Sequence, residues 1–118
     1  MDLMLTTRPG RGCTVLEVRG DLDMATAPRL HDGLQPLAGA GQVVVDLTGV
    51  GFMDSSALGT LVLMFKQARA AGGRLCLAGA RQPVRTVLEV TSVTQVIDVF
   101  DTVRAAERSM PAGDVVAG

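Results

Sequence analysis

A chain of 118 residues with 47% hydrophobic and only 3% aromatic residues can bury one core, which must be built from aliphatic side chains. Its 11 basic and 12 acidic residues give a formal net charge of -1, so no strong positive field attracts nucleic acid. Because Trp and Tyr are absent, unpaired bases would find few stacking platforms, and we expect no nucleic-acid partner.

The apolar segments and the cysteines indicate a cytoplasmic protein. No apolar run approaches the roughly 20 residues that span a bilayer, and the N-terminus lacks the pattern of a signal peptide. Cys13 and Cys76 are isolated in apolar, strand-like segments without a CxxC spacing. We therefore expect two reduced core thiols, with no metal site and no membrane contact.

The first half of the chain predicts three strands and one helix. Residues 3–7 and 13–19 are strand-like, and the Pro and Gly residues between them predict a hairpin. A helix follows, with Thr26 as a candidate cap and Pro28 in its first turn. Residues 42–47 contain three successive valines without alternation, which predicts a strand covered on both faces at the sheet centre.

The second half begins with the strongest helix signal, over residues 54–71, from a capping aspartate to a Gly-Gly pair. A strand is predicted over residues 74–78, and Pro83 opens another short helix. Val96 and Ile97 suggest a short edge strand, and residues 101–108 a last helix.

This order of elements predicts an α/β fold in a single domain. We expect one mixed, mostly parallel sheet of about four to five strands with about four helices. The helices should lie mainly on one face, because strand-helix-strand units require right-handed crossovers. The domain is predicted to cover residues 1–108, and residues 109–118 to form a disordered tail.

The segment between the central strand and the strong helix, residues 48–59, contains the most informative residues. Loops at the carboxyl end of a central strand commonly carry function in α/β proteins. Here Asp54, Ser55 and Ser56 stand together at a helix N-terminus. By themselves such residues are also ordinary helix caps without a regulatory role.

Residues 52–59, Phe-Met-Asp-Ser-Ser-Ala-Leu-Gly, closely resemble the F-M-D-S-S-G-L-G signature of STAS domains, specifically of bacterial anti-sigma factor antagonists. Residues 20–23 match the G-[DE]-L-D turn of that family, and residues 44–47 match the strand that leads into its signature. The resemblance covers about residues 3–108 in the same order and spacing. It implies a mixed sheet with helices on one face.

The resemblance also implies a regulatory role for Ser55, the first serine after the signature aspartate. In the family, this serine accepts phosphate from an anti-sigma factor with serine kinase activity, which itself binds ATP. The unphosphorylated chain would bind that factor and release the sigma factor, and phosphorylation of Ser55 would abolish binding. No cofactor is implied for this chain, and the sequence leaves open whether a phosphatase also acts on it.

We predict a partner-binding surface around Ser55. In the resembling fold, the loop with Asp21 and Asp23 lies beside Asp54. A phosphate on Ser55, with a charge of about -1.5 to -2, would therefore repel a docking partner or add a desolvation cost to its binding. On the helix, Leu58, Leu61, Val62 and Phe65 should pack on the sheet. The outer face should then contain Ser56, Thr60, Leu63, Met64 and Gln67. Ala57, where the family often has glycine, should border the same contact.

Other functions have less support in the residues. A hydrolase would need Ser55 or Ser56 beside a base, but the chain has one histidine, His31, and no G-x-S-x-G motif. No phosphate-binding glycine motif is present, so we predict neither catalysis nor nucleotide binding. The alternative hypothesis has the same fold but a different function: the chain would be a STAS scaffold in a stress-signalling complex or a subunit of a lipid-transport assembly. A cytoplasmic tail of an anion transporter is disfavoured, because no membrane segment precedes the domain.

Overall fold

The computed structural model describes residues 3–39 and 41–110, and this part of the chain contains five strands and four α-helices. The strands are β1 (Met4–Gly10), β2 (Cys13–Leu22), β3 (Gln42–Met53), β4 (Arg74–Ala78) and β5 (Val99–Phe100). The α-helices are α1 (Ala27–Leu34), α2 (Ser55–Ala70), α3 (Gln82–Val90) and α4 (Val103–Arg108). Short 3-10 turns follow α1 at Gln35–Leu37 and α3 at Val93–Gln95.

The five strands form one mixed sheet in the order β1-β2-β3-β4-β5. The hairpin partners β1 and β2 are antiparallel, and every other neighbouring pair is parallel. The predicted α/β fold is therefore confirmed, and β3 lies at the centre of the sheet as expected. Gly10 pairs with Cys13 across the hairpin turn, where Gly12 has a φ of +72° that favours glycine.

The hydrophobic core has two parts, one on each face of the sheet. The larger part lies under α1, α2 and α3, and the smaller part lies under α4. Val43 and Val45 face the larger part and Val44 faces the smaller one, which explains why the central strand shows no alternation of apolar and polar residues. The prediction that the helices lie mainly on one face is confirmed.

Two predicted segments differ from the structure in the second half of the chain. The short edge strand is Val99–Phe100 instead of residues 96–97, because Val96 is exposed and Ile97 closes the 3-10 turn through a hydrogen bond from its N–H to the Val93 carbonyl. Met110 is buried in the smaller core, so it packs with the domain and not in a tail. The rest of the predicted tail, residues 111–118, lies outside the described residues.

The largest difference concerns residues 48–53, which were predicted to be a loop. They continue β3 as far as Met53, because they pair with the end of β2 across two irregularities in the register. Arg19 pairs with Gly49, and Leu22 pairs with Met53. As a result, β3 runs directly into the residue before α2.

The thiols allow a first prediction about reactivity. Burial raises the pKa of the Cys76 thiol to about 11, and burial also raises the pKa of the half-buried Cys13 thiol. At pH 8 a thiol of pKa 11 is about 0.1% thiolate, against roughly a quarter for an ordinary cysteine, and only the thiolate reacts. We expect native protein to be alkylated slowly at Cys13 and not measurably at Cys76.

Mass spectrometry after timed iodoacetamide treatment measures both sites, and Cys76→Ser identifies the signal of Cys13. Denaturant should make both thiols react at similar rates. Rapid labelling of Cys76 in native protein would contradict the prediction.

Candidate functional site

The candidate site lies at the carboxyl ends of β2 and β3, which run side by side. Asp21 pairs with Phe52 in the sheet, and Leu22 pairs with Met53. Just beyond these pairs, the N–H of Asp54 donates to the Leu22 carbonyl at 2.9 Å. The segment after β2 and the start of α2 are thus held together, as the family resemblance implied.

Asp54 is the residue that joins the two segments. Its Oδ1 accepts hydrogen bonds from the N–H groups of Ser56 at 2.9 Å and Ala57 at 3.2 Å, and so caps α2. Its Oδ2 accepts from the N–H of Met24 at 3.2 Å. One carboxylate therefore fixes both the first turn of the helix and the loop beside it.

The loop between β2 and α1 is held in one conformation by its own side chains. Thr26 Oγ1 accepts from the Asp23 N–H at 3.0 Å and donates to the Asp21 carbonyl at 2.8 Å. Asp23 Oδ1 accepts in turn from the Thr26 N–H at 3.0 Å. Thr26 occupies the cap position of α1 as predicted, but its side chain makes no capping bond to that helix. Thr26 instead orders Asp23 in the loop and links the loop to Asp21, which lies in β2 and not in the loop as predicted.

Ser55 is exposed at the first position of α2. Among the described residues its hydroxyl has no hydrogen-bond partner, so nothing in that part of the chain has to move before another protein can reach it. Asp54 already accepts hydrogen bonds from two N–H groups at the start of the helix, which are therefore not free to bind a phosphate. A phosphate on Ser55 would therefore remain largely hydrated, next to an existing carboxylate.

The exposed face of α2 runs from Ser55 through Gly59 and Leu63 to Lys66. Leu63 is 45% exposed, so the prediction that it lies on the outer face is confirmed. Ser56 and Thr60 lie at the edge of this face, half-buried, and the Thr60 hydroxyl donates to the Ser56 carbonyl at 3.3 Å.

Of the four residues predicted to pack on the sheet, Leu58 and Leu61 are buried, and Val62 and Phe65 are partly buried against the larger core. The half-buried Gln67 lies between the two faces.

Two residues were wrongly placed on the outer face or at its border. Ala57 and Met64 are both 0% exposed and belong to the larger core. The physical reason is that α2 packs against α1 as well as against β4, so a wider arc of the helix is buried than a single apolar stripe suggests. Neither side chain can touch a partner directly while the domain is folded.

Two exposed apolar residues flank the site and were not predicted. Met24, in the loop after β2, is 74% exposed, and Phe52, at the end of β3, is 51% exposed. Phe52 directly precedes the buried Met53 in β3, so its side chain lies on the opposite face of the strand. A strand prediction for residues 48–53 would have indicated this exposure. Exposed large apolar residues beside a polar corner are typical of a protein contact.

Comparison with known proteins agrees with this architecture. The sequence model of the STAS domain matches residues 4–106. The chain belongs to the STAS domain family. An anti-sigma-B factor antagonist from Bacillus subtilis (strain 168) is 28% identical over 100 residues, which cover 84% of this chain and 92% of that protein.

Solved structures share the fold of this STAS domain at lower sequence identity. An anti-sigma factor antagonist from Mycobacterium paratuberculosis superposes with a TM-score of 0.83 at 23% identity and covers 92% of this chain and 94% of that one. The Bacillus cell fate determinant SpoIIAA in its phosphorylated form gives a TM-score of 0.65 at 18% identity, covering 91% of this chain and 98% of that one.

In the part of the chain that the structure describes, no helix has both the length and the apolar character needed to cross a membrane. Within the same residues, no three of the His, Cys, Asp and Glu side chains cluster in a way that would hold a metal ion.

Proposed function

We propose that this STAS domain is an anti-sigma factor antagonist whose binding is controlled by phosphorylation of Ser55. The observation that supports this most is the exposed Ser55 in the first turn of α2, which Asp54 caps beside the end of β2 and the loop that follows it. The similarity to an anti-sigma-B factor antagonist over most of both chains supports the same role. The role is regulatory, and no catalytic step is assigned to this chain.

In the proposed reaction, the partner is an anti-sigma factor with serine kinase activity that holds ATP. The Ser55 Oγ attacks the γ-phosphorus, the new O–P bond forms, and the bond to the β-phosphate oxygen breaks. ADP leaves, and the hydroxyl proton passes to a base or to water in the partner's site. The unphosphorylated chain binds the anti-sigma factor, and the phosphorylated chain releases it.

The proposed contact surface consists of exposed and half-buried residues around Ser55. It keeps most of the predicted residues, adds the two exposed apolar side chains, and leaves out the buried Ala57 and Met64. Its members are Asp21, Asp23, Met24, Phe52, Asp54, Ser56, Thr60 and Leu63. This surface combines carboxylates with apolar side chains, so it fits a partner that presents basic residues around an apolar patch.

Co-purification from the cells that make the protein tests the proposal. Tagged wild-type chain and Ser55→Ala should both recover a kinase-like anti-sigma factor, and phosphate should be found at Ser55 of the wild-type chain by mass spectrometry. Recovery of transport ATPase subunits without such a factor would instead favour a subunit of a lipid-transport assembly. Phosphate on other residues with Ser55 unmodified would overturn the assignment of the acceptor.

Leu63→Lys is expected to weaken binding of the anti-sigma factor by tenfold or more, because it places a charge in the apolar part of the proposed contact. Since Leu63 is already 45% exposed, the free energy of unfolding should change by less than about 1 kcal/mol. Isothermal titration calorimetry and urea unfolding measure the two effects.

The matched control for this prediction is Ala70→Lys, at the exposed far end of the same helix. It adds the same charge but should leave binding unchanged. Equal loss of affinity in both variants would remove Leu63 from the proposed contact.

A further inference from the structure

A second charged feature lies away from Ser55, between the β1-β2 hairpin and α4. A cavity of about 310 Å³ opens there, lined by Arg11, Arg104, Glu107 and Arg108. We refer to it as the arginine cleft. Arg11 comes from the hairpin turn, and the other three residues come from α4.

The two elements that form the arginine cleft are joined by a hydrogen bond. The N–H of Arg11 donates to Glu107 Oε2 at 2.9 Å, which fixes the hairpin turn against the helix. Arg104 and Arg108 are four residues apart, so they lie on the same side of α4. Three arginines therefore line one cavity between two elements that are already joined.

The charges of the arginine cleft are unbalanced. Three arginines against one glutamate give a local charge of +2, in a chain whose formal net charge is -1. Within residues 3–39 and 41–110, the ion pairs of arginine involve Arg8, Arg74 and Arg85, and none includes Arg11, Arg104 or Arg108. These three cations are available to an anion from solution.

The arginine cleft is distant from the proposed contact surface. Arg11 lies two residues before the start of β2, and β2 begins beside the start of β3. Ser55 follows the other end of β3, and a strand of this length spans about 35 Å. A molecule bound in the cleft would leave Ser55 and its surroundings uncovered.

We propose that the arginine cleft binds a small anion that carries phosphate groups. Guanidinium groups pair with phosphate oxygens through two parallel hydrogen bonds, and three of them match an anion with at least two negative charges. The volume of the cavity is at the lower end of the range for small-molecule sites, which suits a chain of phosphate groups. Inorganic polyphosphate and the phosphates of a nucleotide share this chemistry.

Titration of the ¹⁵N-labelled chain with inorganic pyrophosphate tests the proposal by nuclear magnetic resonance. We expect saturable shifts of the amides of Arg11, Arg104 and Arg108. The double variant Arg104→Gln/Arg108→Gln should weaken binding tenfold or more. Arg29→Gln/Arg69→Gln removes the same charge from exposed positions on α1 and α2 and should leave binding unchanged.

Parallel titrations with ATP and with adenosine identify the source of the phosphate. Tighter binding of ATP than of pyrophosphate would favour a nucleotide, and equal binding would favour a free polyphosphate. Binding of adenosine without binding of pyrophosphate would overturn the proposal. An equal loss of affinity for pyrophosphate in the two double variants would also overturn it, as would amide shifts that do not saturate. These outcomes do not depend on Ser55, so the proposed function can fail or hold independently.

Discussion

Phosphorylation of Ser55 is expected to weaken binding of the anti-sigma factor about a hundredfold, which corresponds to about 3 kcal/mol. The phosphate adds about -1.5 to -2 charge. It would lie next to Asp54 and close to Asp21 and Asp23, at a corner that Asp54 and Thr26 hold in one conformation. A partner that docks there would have to approach or desolvate this added charge.

Ser55→Asp should reproduce part of the effect, roughly a tenfold loss, because it adds one charge instead of nearly two. Ser55→Ala should bind like the wild-type chain but accept no phosphate. Thr94→Asp is the matched control, since it adds one charge at an exposed position in the 3-10 turn after α3.

Calorimetric titration of the purified anti-sigma factor into each form gives the affinities. Unchanged affinity for both the phosphorylated chain and Ser55→Asp would contradict the electrostatic mechanism. A loss as large for Thr94→Asp would show that net charge, and not its position, determines binding.

Met64→Ala is expected to lower the free energy of unfolding by about 3 kcal/mol, the usual cost of removing a large apolar side chain from a core. Met64 is fully buried in the larger core, whereas its neighbour Leu63 is 45% exposed. Leu63→Ala should therefore cost less than about 1 kcal/mol. The pair tests directly which side of α2 faces inward.

Urea unfolding followed by circular dichroism measures both variants, with equal slopes expected for the two transitions. If Leu63→Ala were the more damaging substitution, α2 would be rotated relative to the structure and the proposed contact surface would be wrong.

Local sequence patterns predicted the elements whose limits are set by local chemistry. β4 was predicted at its observed limits, because its apolar run follows a Gly-Gly pair and is followed by another glycine. The predicted start of α2 was equally close, because Asp54 is both a good capping residue and the observed cap. In both cases neighbouring residues in the sequence contain the necessary information.

The end of β3 could not be predicted in the same way. Residues 48–51, Thr-Gly-Val-Gly, have the composition of a turn, and they become a strand because β2 pairs with them. The same dependence on tertiary contacts explains the errors at Ala57 and Met64, since the packing of α2 against both α1 and β4 leaves no local signal in the sequence. The proximity of Asp21 and Asp23 to Asp54 was available only from the resemblance to the family.

The direct passage of β3 into α2 has a consequence for how fast the domain could exchange partners. Because no loop separates the central strand from Ser55, little conformational freedom remains to be lost when another molecule docks at that point. Ordering a mobile segment typically lowers affinity and slows association. A preformed epitope of this kind is therefore suited to association limited mainly by diffusion and orientation, with the lifetime of the complex set by dissociation.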